Sequence, residues 1–465
     1  MQDVMISGFD YARAVTMLPN GNFAVAAEAI SGLGNDVTLT EYTPDGSEVR
    51  SYVIPTAASV TVRSLIYTSD DHYMITGSMG STPNDPNWMV ARLDSAMDVI
   101  WLKQYGTQGS DYANNIFETP QGELIVTGTT ALGGSAKPSV VKIDTNGDIL
   151  SEGYLNTNQF ASPWYRGFYA GENRIAFSRL AHAISIVDTT GNVIKDHPNR
   201  LGTYTENIAM LSDGSFALFG LAGLGAPTGS KVFFAVLDSS LTNVTTNIQF
   251  GTSGQEYEPA AMVVDDNDDI IIFINVVPLG AMMPQIIAIK LDVQGNVIWS
   301  NSYTPVGYAN PQIHDVVTTP DDGFVMVGQV ATALERMFVS RVDSTGFVPC
   351  NLLSVPTAST QGSSNSWNPH VNFPGNTTDL GAVAITSAMV SAQENVICTT
   401  TGITDVADQL AVSITPTLVD DHFVITYDAP LTDLNLELID VSGKLVLARQ
   451  VNSGSQVSVE GLLAG

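Results

Sequence analysis

This chain of 465 residues is poor in positive charge. It carries 18 Lys and Arg against 47 Asp and Glu, for a net charge of -29, and only 14% of its residues are charged. Nucleic acid and anionic membrane surfaces both require clustered Lys and Arg, so both are excluded as partners. Cysteine is scarce as well, with Cys350 and Cys398 alone. Two cysteines cannot frame a disulfide scaffold, and their spacing matches no zinc site. HExxH, GxSxG, Walker and CxxC patterns are absent, and the six histidines are scattered. No catalytic constellation or cofactor site is legible. The start, Met1-Gln2-Asp3-Val4, has neither the basic nor the apolar region of a leader peptide. That fits a cytosolic protein or a mature chain whose leader has gone. The longest apolar stretch, 270–291, is broken by Asn275, Pro278, Gly280 and Pro284. Breakers at its centre fit a loop between two buried strands and not a membrane span.

What is present is apolar material, 44% of the chain, arranged in repeats. Disorder is therefore excluded. One phrase is an apolar strand, a Pro/Asp/Asn/Gly turn and a second apolar strand. It occurs around Leu18-Pro19-Asn20-Gly21-Asn22-Phe23 and recurs at 116–128, 208–220 and 316–328, with looser copies at 65–77, 168–178 and 262–274. A second phrase follows each copy, as in Leu291-Asp292-Val293-Gln294-Gly295-Asn296-Val297-Ile298-Trp299. Its turn position falls at 46, 97, 147, 191, 241, 295 and 346, which makes seven units of about 50 residues. Two hairpins per unit give four short strands. That period predicts an all-β, seven-bladed β-propeller over 1–347. The turn Asp and Gly supply local hydrogen bonds and positive φ, so their recurrence is structural. Residues 3–8 resemble the fourth strand of other units and are expected to complete the last blade and close the ring.

Composition shifts after residue 348. Residues 348–407 are rich in Ser, Thr, Asn and Pro and read as a linker or irregular extension. Cys350 and Cys398 bracket most of it. They are either a disulfide stapling the insert to the propeller or two buried thiols, depending on compartment. Residues 408–465 alternate apolar and polar positions in five or six short stretches, which suggests a small Ig-like β-sandwich.

Two resemblances follow from these residues. The first 347 residues resemble secreted seven-bladed propellers of Bacteroidota, with recurrent PDGGF-x-V-x-G and LD-x-x-GN-V-I-W phrases. Residues 412–465 resemble the C-terminal sorting domain read by the type IX secretion system. The phrases are Ser413-Ile414-Thr415-Pro416, Leu436 to Val446, and Val459-Glu460-Gly461-Leu462-Leu463-Ala464-Gly465. The family pattern continues past that glycine. The resemblance implies export to the cell surface or the extracellular space, with the type IX machinery as a partner. It also implies the Cys350–Cys398 disulfide. O-glycosylation of Asp-(Ser/Thr)-x triplets is implied at Ser95, Thr189 and Ser344.

Other candidates are weaker. Asp265, Asp266, Asp268 and Asp269 cluster as calcium would require, though at a repeat turn. Trp88, Trp164, Trp367, Tyr204 and Tyr308 fall in expected loops or unit edges where aromatics stack on glycans, whereas Trp101 and Trp299 read as packing. Three functions remain. The first is a non-enzymatic adhesion, binding or surface-assembly protein that meets glycans, other surface proteins or copies of itself. A variant is a filament subunit that donates residues 349–400 or an N-terminal strand to a neighbour. The last is a glycan hydrolase or lyase using a carboxylate pair drawn from Asp10, Asp111, Glu206, Glu256 and Asp315, read as one repeat position.

Overall fold

A computed structural model of the chain describes residues 2–5 and 10–346 apart from some loop positions, the short strands between 352 and 396, and five strands between 412 and 458. The turns come first in explaining it. At all seven sites of the second phrase the backbone turns left-handed, at Gly46, Met97, Gly147, Gly191, Leu241, Gly295 and Gly346. Met97 and Leu241 adopt the conformation without being glycine, because the preceding Asp fixes the turn. Asp94 Oδ1, for example, accepts from the amides of Ala96 and Asp98, both at 2.9 Å. The first phrase turns the same way at Gly21, Asp71, Gly122, Asn173, Gly214, Asp268 and Asp322.

Two such hairpins make a blade. Blade one is Asp10–Met17, Phe23–Ser31, Gly34–Tyr42 and Glu48–Ile54, from inside outward. The innermost strands of blades two to seven are Ser59–Tyr67, Tyr112–Glu118, Gly167–Tyr169, Tyr204–Met210, Gln255–Val264 and Ala309–Thr318. Each touches the next, and the last touches the first, so the ring is closed. Apolar alternation on both faces gives each seam between blades its own core. Phe219, Phe234 and Phe250 of blade five pack against Ile272, Ile274 and Ile289 of blade six. Phe23 and Tyr42 of blade one pack against Val325 and Met337 of blade seven. The apolar run 270–291 is the two middle strands of blade six, Ile270–Pro278 and Gln285–Leu291. Among the described residues no helix is long and apolar enough to cross a membrane.

The last glycine of the first phrase has a packing reason. A Cβ on Gly77, Gly128, Gly220 or Gly328 would stand 1.8–2.2 Å from the carbonyl oxygen of Thr61, Tyr112, Tyr204 or Gln312 on the adjoining inner strand. No side chain fits there.

Blade seven takes its fourth strand from the other end of the chain. Gln2–Met5 pairs antiparallel with Glu335–Val342, with Gln2 opposite Val339. The segment read as an irregular extension does something else as well. It supplies six short strands, each antiparallel to the outer edge of a blade. They are Leu352–Ser354 on blade six, Ser359–Gln361 on five, Val371–Pro374 on three, Thr378–Ala382 on two, Ala388–Val390 on one and Gln393–Val396 on seven. The chain thus circles the propeller as a belt, counter to the blade order.

Residues 399–465 form a second compact unit, and Met1–Cys398 the first. In the second, Val412–Thr415, His422–Tyr427 and Ser455–Ser458 make one sheet, and Leu434–Ile439 pairs with Leu445–Val451.

Candidate functional site

The inner strands are not regular. Six of them carry a β-bulge, with the extra residue at Arg13, Arg63, Asn114, Glu206, Ala260 or His314. A bulge re-aims a side chain. An innermost strand is paired on one side only, so its free edge borders the propeller axis. Five of the six bulge residues are polar, Ala260 being the exception.

Two arcs can be followed, one of mixed charge and one acidic. In blades seven and one, Arg13 Nε lies 3.1 Å from Glu28 Oε1, and its guanidinium stands 5.0 Å over the Tyr11 ring. Arg13 Nη1 is 3.2 Å from His314 Nε2, which is 3.0 Å from Gln329 Oε1. Glu28 is only 2% exposed. Its Oε1 also accepts from the Val62 amide of blade two, at 2.9 Å. In blades five and six the lining is acidic. Burial first, then Glu206 and Glu258, push the Tyr204 hydroxyl up to about 12. Burial and the charge of Glu256 raise the Glu258 carboxyl, although solvent reaches it. Glu256 and Glu258 are two apart on one strand and share a side of it.

The five carboxylates taken as one repeat position separate when referred to the bulge. Asp10 and Asp111 lie three residues before it, Glu206 is the bulge residue, Glu256 lies four before it and Asp315 one after it. The Asp10 side chain lies outside the described residues. Asp111 is fully buried and accepts from the Thr107 and Ala131 amides, both at 2.6 Å. Asp315 accepts from the Val15 amide of blade one at 2.9 Å. Both are structural ties. The acidic group of Glu206, Glu256 and Glu258 was only partly legible, because it joins the bulge residue of blade five to the start of the inner strand of blade six, and the bulge has no sequence signature. Glu28 had one, as a lone charge inside the apolar strand Phe23–Ser31, where a buried carboxylate requires a partner.

The remaining candidates sit at the turn end or in seams. Asp265 Oδ1 accepts from the Asn267 and Asp269 amides, and Lys290 Nζ lies 2.7 Å from Asp265 and 3.2 Å from Asp269. Asp268 accepts from the Ser212 amide of blade five at 3.0 Å, and Asp266 is exposed. This cluster is thus committed to its own turn, a lysine and the neighbouring blade. Among the described residues, no three His, Cys, Asp or Glu side chains converge as metal ligands. Ser95 and Ser344 are exposed at their turns, and Thr189 is half-buried. Trp88 is no glycan platform. It is 1% exposed, and its Nε1 donates to Thr129 O of blade three at 2.8 Å. Trp164, Trp367, Tyr308, Cys350 and Cys398 lie outside the described residues.

At the turn end, each blade clamps the next blade's second turn, from its outer strand in blades one to six and from its third strand in blade seven. Arg50 donates to Ser95 O, Tyr105 to Gly147 O, Ser151 to Thr189 O and His197 Nδ1 to Leu241 O. Thr246 donates to Val293 O, Asn301 and Tyr303 to Gly346 O, and Arg341 to Pro44 O. The circle is complete. The turn repeat is thereby accounted for by assembly, which leaves the axis and the opposite, loop-bearing end as the surface free to vary.

Comparison with known proteins gives likeness of shape alone. No family model matches the chain, and no curated protein does. Among solved structures, the WD40 β-propeller domain of Doa1 is 14% identical, with a TM-score of 0.45 over 73% of this chain and 97% of that one. Sqt1 of Chaetomium thermophilum is 10% identical, with a TM-score of 0.41 over 73% of this chain and all of that one. A protein of unknown function from Dyadobacter fermentans is 10% identical, with a TM-score of 0.34 over 98% of each chain.

Proposed function

We propose that this chain is an exported, non-enzymatic propeller that works by binding, in adhesion or surface assembly outside the cell. A β-propeller fits binding and interaction roles. The observation that carries the reading is the bipolar axis. Arg13 with Glu28 on one arc and Glu206, Glu256 and Glu258 on another suit a ligand with hydrogen-bonding groups and both signs of charge, such as a peptide segment or a charged glycan. Residues 408–465 act as an Ig-like, type IX sorting-type domain in this proposal, and Ser95, Thr189 and Ser344 are its glycan acceptors. The chain works without a resident cofactor, and calcium at 265–269 is not part of the reading because Asp265 and Asp269 already pair with Lys290 and Asp268 accepts from the Ser212 amide.

Two experiments test it. A reporter fused to residues 399–465 is expected in the medium or on the surface of a bacterium with type IX machinery, and retention inside the cell overturns the export reading. A panel of charged glycans and peptides is expected to show binding weakened by Glu258→Gln and by Arg13→Ala, with no turnover. Turnover abolished by Glu258→Gln would instead establish the hydrolase or lyase, for which the acidic arc is the specific support.

A further inference from the structure

The outer strands set one side chain against the next blade's second turn, and in blade four that side chain leaves room beside it. Four residues after the left-handed turn residue stand Arg50, Trp101, Ser151, Lys195 and Trp299, in blades one to four and six. In blade two, the Trp101 ring packs on the cluster that holds Leu124 of blade three, and its Nε1 donates to Thr145 O at 3.1 Å. In blade six, Trp299 stacks on Phe324 of blade seven, with ring centres 6.2 Å apart and planes 16° apart. Leu124, Phe216 and Phe324 are each the first residue of a second strand. Blade four thus offers Phe216 of blade five the same place, but carries Lys195 in it. Lys195 Nζ reaches the corresponding turn carbonyl, Ser239 O, at 3.0 Å. An amine on a flexible stem fills less space than an indole. A cavity of about 250 Å³ remains, and its walls include Arg174, Ile186, Ile194, Lys195, Met210 and Phe216.

We propose that this seam between blades four and five is a binding site for a small aromatic carboxylate. The ring takes over Phe216 the place that Trp299 takes over Phe324. Stacking of that kind and the Met210 thioether both favour an aromatic face, and Met210 is 40% exposed. The carboxylate meets Lys195 and Arg174, two cations in a chain whose net charge is -29. Lys195 makes no ion pair among the described residues, so its charge is open to a ligand. The equivalent cavity between blades seven and one, of about 290 Å³, differs in this respect, because Arg341 there already pairs with Asp321 at 2.6 Å. The volume beside Lys195 suits one fused ring with a short acidic arm and not a drug-sized molecule, whose pockets span roughly 300–1,000 Å³. The belt strands described on blades one, two, three, five and six pair no nearer the turn than Ser51, Lys103, Gly153, Ile248 and Asn301. Lys195, level with Trp101 and Trp299, lies on the turn side of that line. The site is separate from the axis and stands whether or not the axis binds.

The folded full-length chain is titrated with indole-3-acetate, and binding is followed by ligand-observed NMR. One saturable site is expected. Indole, which lacks the carboxylate, should bind roughly tenfold more weakly. Cyclohexylacetate, which lacks the aromatic ring, should bind severalfold more weakly. Lys195→Trp gives blade four the residue that blade six carries. It should fold and lose binding by roughly tenfold or more, because its own ring fills the cavity. Lys195→Ala keeps the space and removes the charge. It should weaken indole-3-acetate to the level of indole and leave indole itself unchanged. If Lys195→Trp does not fold, Lys195→Ala carries the test. The proposal is overturned by the absence of saturable binding, by equal binding of cyclohexylacetate, or by indole-3-acetate binding that is unchanged in the Lys195 variants.

Discussion

Blade six has an innermost strand of ten residues, Gln255–Val264, and a belt strand on its outer edge. Blade four has an innermost strand of three, Gly167–Tyr169, and no belt strand among the described residues. Their seams differ to match. Between blades five and six, three phenylalanines meet a row of isoleucines. Between blades three and four the buried cluster is Ile125, Val140, Leu155, Ile175, Phe177 and Val187. Blade four is tied in by hydrogen bonds instead. Asn115 and Thr127 of blade three both donate to Gly167 O, at 2.9 and 3.3 Å, and Lys195 donates to Ser239 O of blade five at 3.0 Å. Hydrogen bonds to both neighbouring blades thus join the described apolar contacts at blade four.

Several changes would break or sharpen that contrast. Removing residues 1–8 should have the largest effect, because it takes away the fourth strand of blade seven and the inner partner of the last belt strand. The melting temperature should fall by many degrees, and an unchanged value would mean that the ring is closed some other way. Phe234→Ala in the blade five–six seam should cost about 5 kcal/mol in chemical denaturation, against about 3 kcal/mol for Phe177→Ala in the blade three–four seam, the two ends of the range for this substitution. Equal costs would refute the difference between seams. Gly220→Ala drives a Cβ to 2.2 Å from Tyr204 O, whereas a Cβ on Gly223 meets nothing within 4 Å. The first should destabilise by about 1–3 kcal/mol and the second by much less. Ser151→Ala removes one clamp and should cost about 1 kcal/mol.

Acid should have the smallest effect within a single turn. Burial raises the Asp188 and Asp292 carboxyls, but hydrogen bonds led by those from Asn192 and Asn296 hold both below the usual value of 3.8. Asp144 is lowered first by the Asp148 amide. Carboxylates so lowered stabilise the fold above about pH 4, and the gain is lost as pH falls through their folded values. The melting temperature should therefore drop below pH 4, and by less in Asp188→Asn.

The sequence made the blades legible because hairpin chemistry is local. Asp and Gly at fixed offsets dictate a turn, and the step of about 50 residues follows from the count. The ring-closing strand was also readable, since residues 3–8 repeat the pattern of Asp98-Val99-Ile100-Trp101. Two features were not. Bulges such as the one at Arg13 are decided by packing between blades, so the axis lining could not be assembled from spacing. The belt strands, such as Ser359-Thr360-Gln361, owe their place to the unpaired edge beside them, which lies more than a hundred residues away at Ile248–Phe250.

The belt is the claim most open to a direct test. Leu353→Pro removes a backbone donor from the strand that lies along blade six, with the chain otherwise whole. Hydrogen exchange followed by mass spectrometry should show faster exchange in Val297–Tyr303 and little change in the blade four edge, Val193–His197. Identical exchange of Val297–Tyr303 in the variant and the natural chain would contradict the belt.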